Sequence, residues 1–161
     1  MGKVQSGFPN GYVGAPSRSV DNVIISRKNA SSAAIPYGAA VFLKSDGTGV
    51  LPYTSGTTTG PQFLGFAVRV PDKSPETYGS NLGQYAINDP VDILVRGSVV
   101  LPLASTAARS GDSVYVRIAD GKYVTSAGAE GTTLQLPGVH VSSSRDQSGC
   151  NEVTVTERNL L

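Results

Sequence analysis

Val91-Asp-Ile-Leu-Val-Arg-Gly97 is the stretch that decides how this chain folds. Side chains alternate across a strand, so Val91, Ile93 and Val95 share one face and Asp92, Leu94 and Arg96 the other. The first face is wholly apolar, and Leu94 leaves the second partly so. Gly97 and Ser98 are expected to bend the chain before the next apolar run, Val99, Val100 and Leu101.

Runs of the same character lie on both sides. Towards the N-terminus, residues 62–70 form the longest strand candidate. Residues 39–44 and 50–53 read as a hairpin around Asp46-Gly47, a pair that tolerates the positive φ angles of a type I′ turn. Residues 22–27 supply a first β-branched strand, and 29–34 a small-residue loop or a single helical turn. Residues 71–83 read as a long loop. Towards the C-terminus, residues 103–109 (LASTAAR) are the best short-helix candidate, ended by Gly111. Val114, Val116 and Ile118 alternate with Tyr115 and Arg117. Asp120-Gly121 marks a second hairpin that returns through 122–125, with Tyr115 on the outward face and able to pair with Tyr123 across it. Residues 134–141 and 153–155 close the pattern.

Glycine and proline cut these pieces apart, 19 and 10 respectively in 161 residues. An interior glycine costs a helix about 1 kcal/mol and a proline about 3, so long helices are nearly excluded. Nine to eleven short strands with regular turn signals predict an all-β barrel or sandwich with at most one or two short helices. Residues 1–19 stand apart. They carry four glycines, two prolines and no acid, and neither strand nor helix period is sustained. They read as an extended N-terminal arm on a single β domain spanning 20–161.

Composition narrows the function. Charged residues make up 16% of the chain, against about 25% in a typical domain, so much of the surface is uncharged, which suits either burial against a partner or a soluble protein with a Ser/Thr-rich surface. The net charge is +1, with no block of like sign, which argues against direct binding of nucleic acid. No apolar run approaches the roughly 18 residues of a membrane helix, and the first 16 residues lack the apolar centre of a signal peptide. Cys150 is the single cysteine, so no internal disulfide forms and folding in a cytoplasm is expected.

Catalytic groups are scarce. His140 is the only histidine. Ser142, Ser143, Ser144 and Asp146 imitate a triad with it in composition, but neighbours on one strand point to alternate faces. One histidine and one cysteine make no zinc set, and the Asp-Gly turns are too short for a calcium loop. Gly56-Thr-Thr-Thr-Gly60 lacks the Lys-Ser/Thr ending of a phosphate loop. No catalytic residue, cofactor or metal is expected. Tyrosine suits an interface, since the ring buries and the hydroxyl can stay wet. The candidates for a partner surface are therefore Phe8, Tyr12, Val13 and Arg18 in the arm, with Tyr37, Tyr53 and Tyr78 in the domain.

Read in order, four segments resemble the structural cement proteins that decorate the heads of tailed phages. They are Ile35-Pro-Tyr-Gly-Ala-Ala-Val41, Gln62-Phe-Leu-Gly-Phe-Ala-Val68, Val91-Asp-Ile-Leu-Val-Arg-Gly97 and Ser110-Gly-Asp-Ser-Val-Tyr-Val116. Family members show a similar succession: a glycine before a strand, a Phe-x-Gly strand, a strand ending in glycine, and a Gly-Asp-x-Val-Tyr turn. The resemblance spans about residues 20–157. The chain departs from it at Asn88-Asp-Pro90, where the family often has Gly-Asp, and in lacking tryptophan. The resemblance implies a non-enzymatic virion protein on the capsid exterior. Its partner would be the major capsid protein, bound over junctions between subunits, commonly as a homotrimer whose arm ties neighbouring capsomers. On that reading residues 2–19 order only on the capsid. The alternative is a β-barrel or sandwich module of a head fibre or tail that recognises carbohydrate or a cell surface. It would need an exposed aromatic platform, for which Tyr53 and Tyr78 are the candidates.

Overall fold

The computed structural model describes residues 10–17, 21–53, 62–69 and 83–157. Eleven strands are present and no helix among these residues: β1 (Val23–Lys28), β2 (Ile35–Pro36), β3 (Ala40–Leu43), β4 (Val50–Pro52), β5 (Gln62–Ala67), β6 (Gln84–Tyr85), β7 (Pro90–Pro102), β8 (Ser113–Arg117), β9 (Tyr123–Val124), β10 (Thr133–Val141) and β11 (Cys150–Val155). The fold is all-β, a curled antiparallel sheet in the order β4-β3-β5-β7-β11-β10-β8-β9, with β1 also on β7. A separate two-stranded ribbon pairs β2 with β6.

Strand β7 organises the sheet. Its first half pairs with β1 from Pro90 to Arg96, and its second half with β11 from Gly97 to Pro102. The expected bend at Gly97 and Ser98 does not end the strand. Gly97 takes φ +117° inside one continuous strand of 13 residues, and a Cβ there would collide with the Asn22 side chain. The irregularity acts as a bulge and resets which residues face which core. Val91, Ile93 and Val95 turn into a smaller core with Ile35, Val41, Val50, Leu64 and Tyr85. Leu94 turns to a larger core, and beyond Gly97 it is Val99 and Leu101 that face it. A strand apolar on both faces is thereby used by two cores.

Strands β3 and β5 divide in the same way. Val41 and Leu64 enter the smaller core, while Phe42, Phe63 and Phe66 enter the larger. The larger core is completed by Val114, Val116, Leu136, Val139 and Val153 from the other half of the sheet. An aromatic chain runs through it, with ring centroids 5.7 Å apart for Phe42–Phe63, 5.4 Å for Phe63–Phe66 and 5.8 Å for Phe66–Tyr123.

Three local expectations are corrected. Residues 103–109 form turns, because Leu103 bridges to Tyr123 and the Ala104 amide donates to the Tyr123 carbonyl. Pairing with β9 holds Leu103 in extended backbone, so the segment enters as a bridge and continues in turns. In both hairpins the glycine alone is left-handed, Gly47 at φ +70° and Gly121 at +68°. These reversals are therefore longer turns than type I′, which needs two positive φ angles. Tyr115 lies opposite Val124, and it is Val116 that faces Tyr123. Residues 29–34 are a loop built on buried Asn29. Its amide donates to the carbonyls of Ala33 (2.9 Å) and Ala86 (3.0 Å), and its oxygen accepts from Ser31.

Candidate functional site

Residues 10–17, inside the stretch read as an arm, lie along β7 as a strap. The Gly14 amide donates to the Val100 carbonyl at 2.8 Å, the Val100 amide to Ala15 at 3.0 Å, and the Ser17 amide to Ser98 at 2.9 Å. Gly14 also accepts from the Arg69 amide at 2.8 Å. For these residues the expectation of order only on the capsid is corrected: they complete backbone hydrogen bonds of β7 within the chain. Such bonds need no periodic side-chain pattern, which is why the period gave no warning.

A clasp fixes the strap's start. The Asn10 amide donates to Asp146 Oδ2 at 2.8 Å, and the Asn10 side chain donates to the carbonyls of Cys150 (2.9 Å) and Ser144 (3.2 Å). Asp146 Oδ1 in turn accepts from the amides of Ser148 (2.9 Å) and Cys150 (2.8 Å). Burial draws the carboxyl's pKa up, but the amide bonds from Cys150, Asn10, Ser148 and Gly149 outweigh it and leave it below the usual aspartate value. Asp-x-Ser is an Asx-turn signal legible in sequence; its link to Asn10 is not.

Beside the strap lies a mostly apolar groove of about 420 Å³, walled by Val13, Pro36, Tyr37, Pro52, Tyr53 and Pro102. Three of the sequence candidates, Val13, Tyr37 and Tyr53, are thus brought to one place. The strap is pressed against the groove floor, since a Cβ on Gly14 would lie 2.7 Å from the Gly38 nitrogen and one on Gly38 would lie 2.8 Å from Val13. Tyr37 packs edge-on to Tyr85 at 5.3 Å, and Tyr53 lies 6.2 Å from Phe42. The hydroxyls of both Tyr37 and Tyr53 are buried and, among the described residues, have no hydrogen-bond partner. Burial also pushes the Tyr53 pKa up.

Tyr12 stands outside the groove, 71% exposed, with the Arg69 guanidinium 4.5 Å above its ring. Phe8, Arg18 and Tyr78 lie outside the described residues. The residues that imitated a triad are not assembled. His140 pairs with Thr154 and Ser113 on β10, the Ser142 hydroxyl bonds Thr154, and Asp146 is engaged by backbone amides. Among the described residues no group of three His, Cys, Asp or Glu side chains is placed to hold a metal ion. Among the described residues the candidates that come together are those of the apolar groove beside the strap.

Residues 2–156 match the family described as structural cement protein (E217 gp24/Pam3 gp6), and the chain belongs to that family. It is accordingly a structural protein of a phage virion. Among solved structures, a chain described under "The capsid of Myoviridae Phage XM1" matches with TM-score 0.72 and 16% identity over 96% of each chain. That likeness is one of fold. No curated protein sequence matches the chain.

Proposed function

We propose that the protein binds the major capsid protein across junctions between its subunits on the outside of the head, and stabilises the shell there. The observation that carries this reading is the groove. Its two buried tyrosine hydroxyls lack partners among the described residues, and an unmade buried hydrogen bond costs about 1–3 kcal/mol. A capsid segment seated in the groove would match its apolar lining, and its carbonyl oxygens would accept from the two hydroxyls once the rings shift to expose them. The homotrimer remains part of the proposal, because several modest contacts multiply when one assembly engages several sites. The carbohydrate alternative gains nothing from Tyr53, whose ring is half-buried against Phe42 instead of standing as an open platform.

The test is uptake. Purified protein is mixed with phage heads assembled without it, and the complex is imaged. Density at subunit junctions at a fixed ratio to capsid protein is expected. Retention on glycans without uptake by heads would favour the alternative.

A further inference from the structure

Among the described strands β1 pairs with β7 alone. The Asp92 carbonyl is taken by the Val68 amide at 2.8 Å. Ser26, which faces Asp92 in the ladder, therefore stands where the backbone groups of β1 turn away from β7. Antiparallel ladders alternate, which gives Ile24 the same orientation. Ser26 is exposed and Ile24 is 45% exposed. Other margins are covered from within the chain: Val50 of β4 by Asn29 and Ala30, Tyr123 of β9 by Leu103 and Ala104, and Ser98 and Val100 of β7 by the strap.

Beside this edge the Asp92 carboxylate accepts from the Ser26 hydroxyl at 2.5 Å, and two cations stand further along the strand. Lys44 pairs with Asp46, Arg96 with Asp21, and Arg117 and Lys122 with Asp120. Arg27 and Lys28 are exposed, adjacent and, among the described residues, without a carboxylate. They point to opposite faces of β1, so together they flank any strand laid against its end.

We propose that the outer edge of β1 receives an extended strand of the capsid protein, hydrogen-bonded to the backbone of Ile24 and Ser26, with carboxylates opposite Arg27 and Lys28. Strand addition of this kind draws affinity from main-chain bonds and specificity from alternate side chains. The proposal rests on the capsid-binding reading above and adds which element is bound and what the partner segment carries. A second copy of this chain fits less well, since β1 reads VIISRK and supplies no carboxylate. The edge and the groove share no residue, so the chain holds two separate contact surfaces, as a protein spanning two subunits must.

Hydrogen exchange on free and head-bound protein tests this. The amides of Ile24 and Ser26 should exchange freely in solution and be slowed on the order of tenfold or more on heads. The double variant R27E/K28E should weaken uptake by about tenfold with an unchanged thermal midpoint. S26P, which removes an N–H that points outward, should weaken uptake likewise. Unslowed exchange at Ile24 and Ser26 in protein that has bound heads would overturn the proposal, as would full uptake of R27E/K28E or a dimer formed through β1. Failure of the unmodified protein to bind heads at all would instead bring down the capsid-binding reading on which this one stands.

Discussion

The Tyr123 hydroxyl donates to the carbonyl of Gly38, 85 positions earlier in the chain, at 2.8 Å, and accepts from the Ala40 amide at 2.6 Å. This one phenol joins β9, at one end of the strand order, to the start of β3 near the other end. The curled sheet is drawn towards closure by a side chain rather than by a ladder. Burial pushes the phenol's pKa far above the ordinary tyrosine range, so it stays neutral and able to donate.

Replacing Tyr123 with phenylalanine keeps the ring packed on Phe66 but strands two buried backbone groups. A loss of about 1–3 kcal/mol in unfolding free energy is expected, read from urea denaturation monitored by circular dichroism. An unchanged midpoint would mean that water replaces the hydroxyl and that closure does not depend on it.

The legible part of the fold was its local chemistry. Alternation placed Val114 and Val116 inward, and the Asp-Gly pairs marked both hairpins, because period and turn residues act over a few positions. What stayed hidden spans the chain. Tyr123 looked like any β-surface tyrosine, since nothing near it announces an acceptor 85 residues away. Residues 10–17 read as part of an extended arm for a partner, because a strap held by backbone hydrogen bonds leaves no side-chain period. Val13, Tyr37 and Tyr53 were chosen for their type alone, and only the curl of the sheet put them around one groove. The β1 edge was hidden for another reason: that no second strand pairs with it among the described residues depends on where the other strands lie.

Gly14 tests the strap. Its φ is +77°, and a Cβ at this position would come within 2.7 Å of the Gly38 nitrogen, which leaves no room for a side chain. Alanine there adds about 1–2 kcal/mol of left-handed strain on top of the contact. Gly14→Ala should lift the strap, so that the Val100 amide exchanges faster while amides of the β7–β11 ladder keep their protection. Uptake by heads should fall as the groove loses its Val13 wall. Unchanged exchange at Val100 would refute this account of the close approach.

The clasp should be sensitive to acid. Asp146 has its pKa held down in the folded chain by four backbone amides that outweigh burial. A group with a lowered folded pKa contributes stability fully present above its unfolded value, about 3.9 for aspartate, and lost as pH falls through the lower folded value. The strap should therefore hold near neutrality and loosen in acid, seen as movement of the Asn10 amide resonance in an NMR titration. Asp146→Asn should flatten that titration. A resonance that moves identically in both proteins would place the sensitivity elsewhere.

The groove tyrosines separate function from stability by the sign of their effects. In the free protein the hydroxyls of Tyr37 and Tyr53 are buried and, among the described residues, without partners, so Tyr37→Phe and Tyr53→Phe each remove an unmet group and should leave stability equal or raised by up to about 1 kcal/mol. If capsid carbonyls accept from these hydroxyls, each change should also weaken uptake by heads, by roughly threefold to tenfold for a net bond of about 0.5–1.5 kcal/mol. A hydroxyl that served only the fold would show the reverse, with lower stability and unchanged uptake. Denaturation midpoints and head-binding isotherms for the two variants distinguish these cases, because only a bond made to the partner lets a substitution hold or raise stability while it weakens binding.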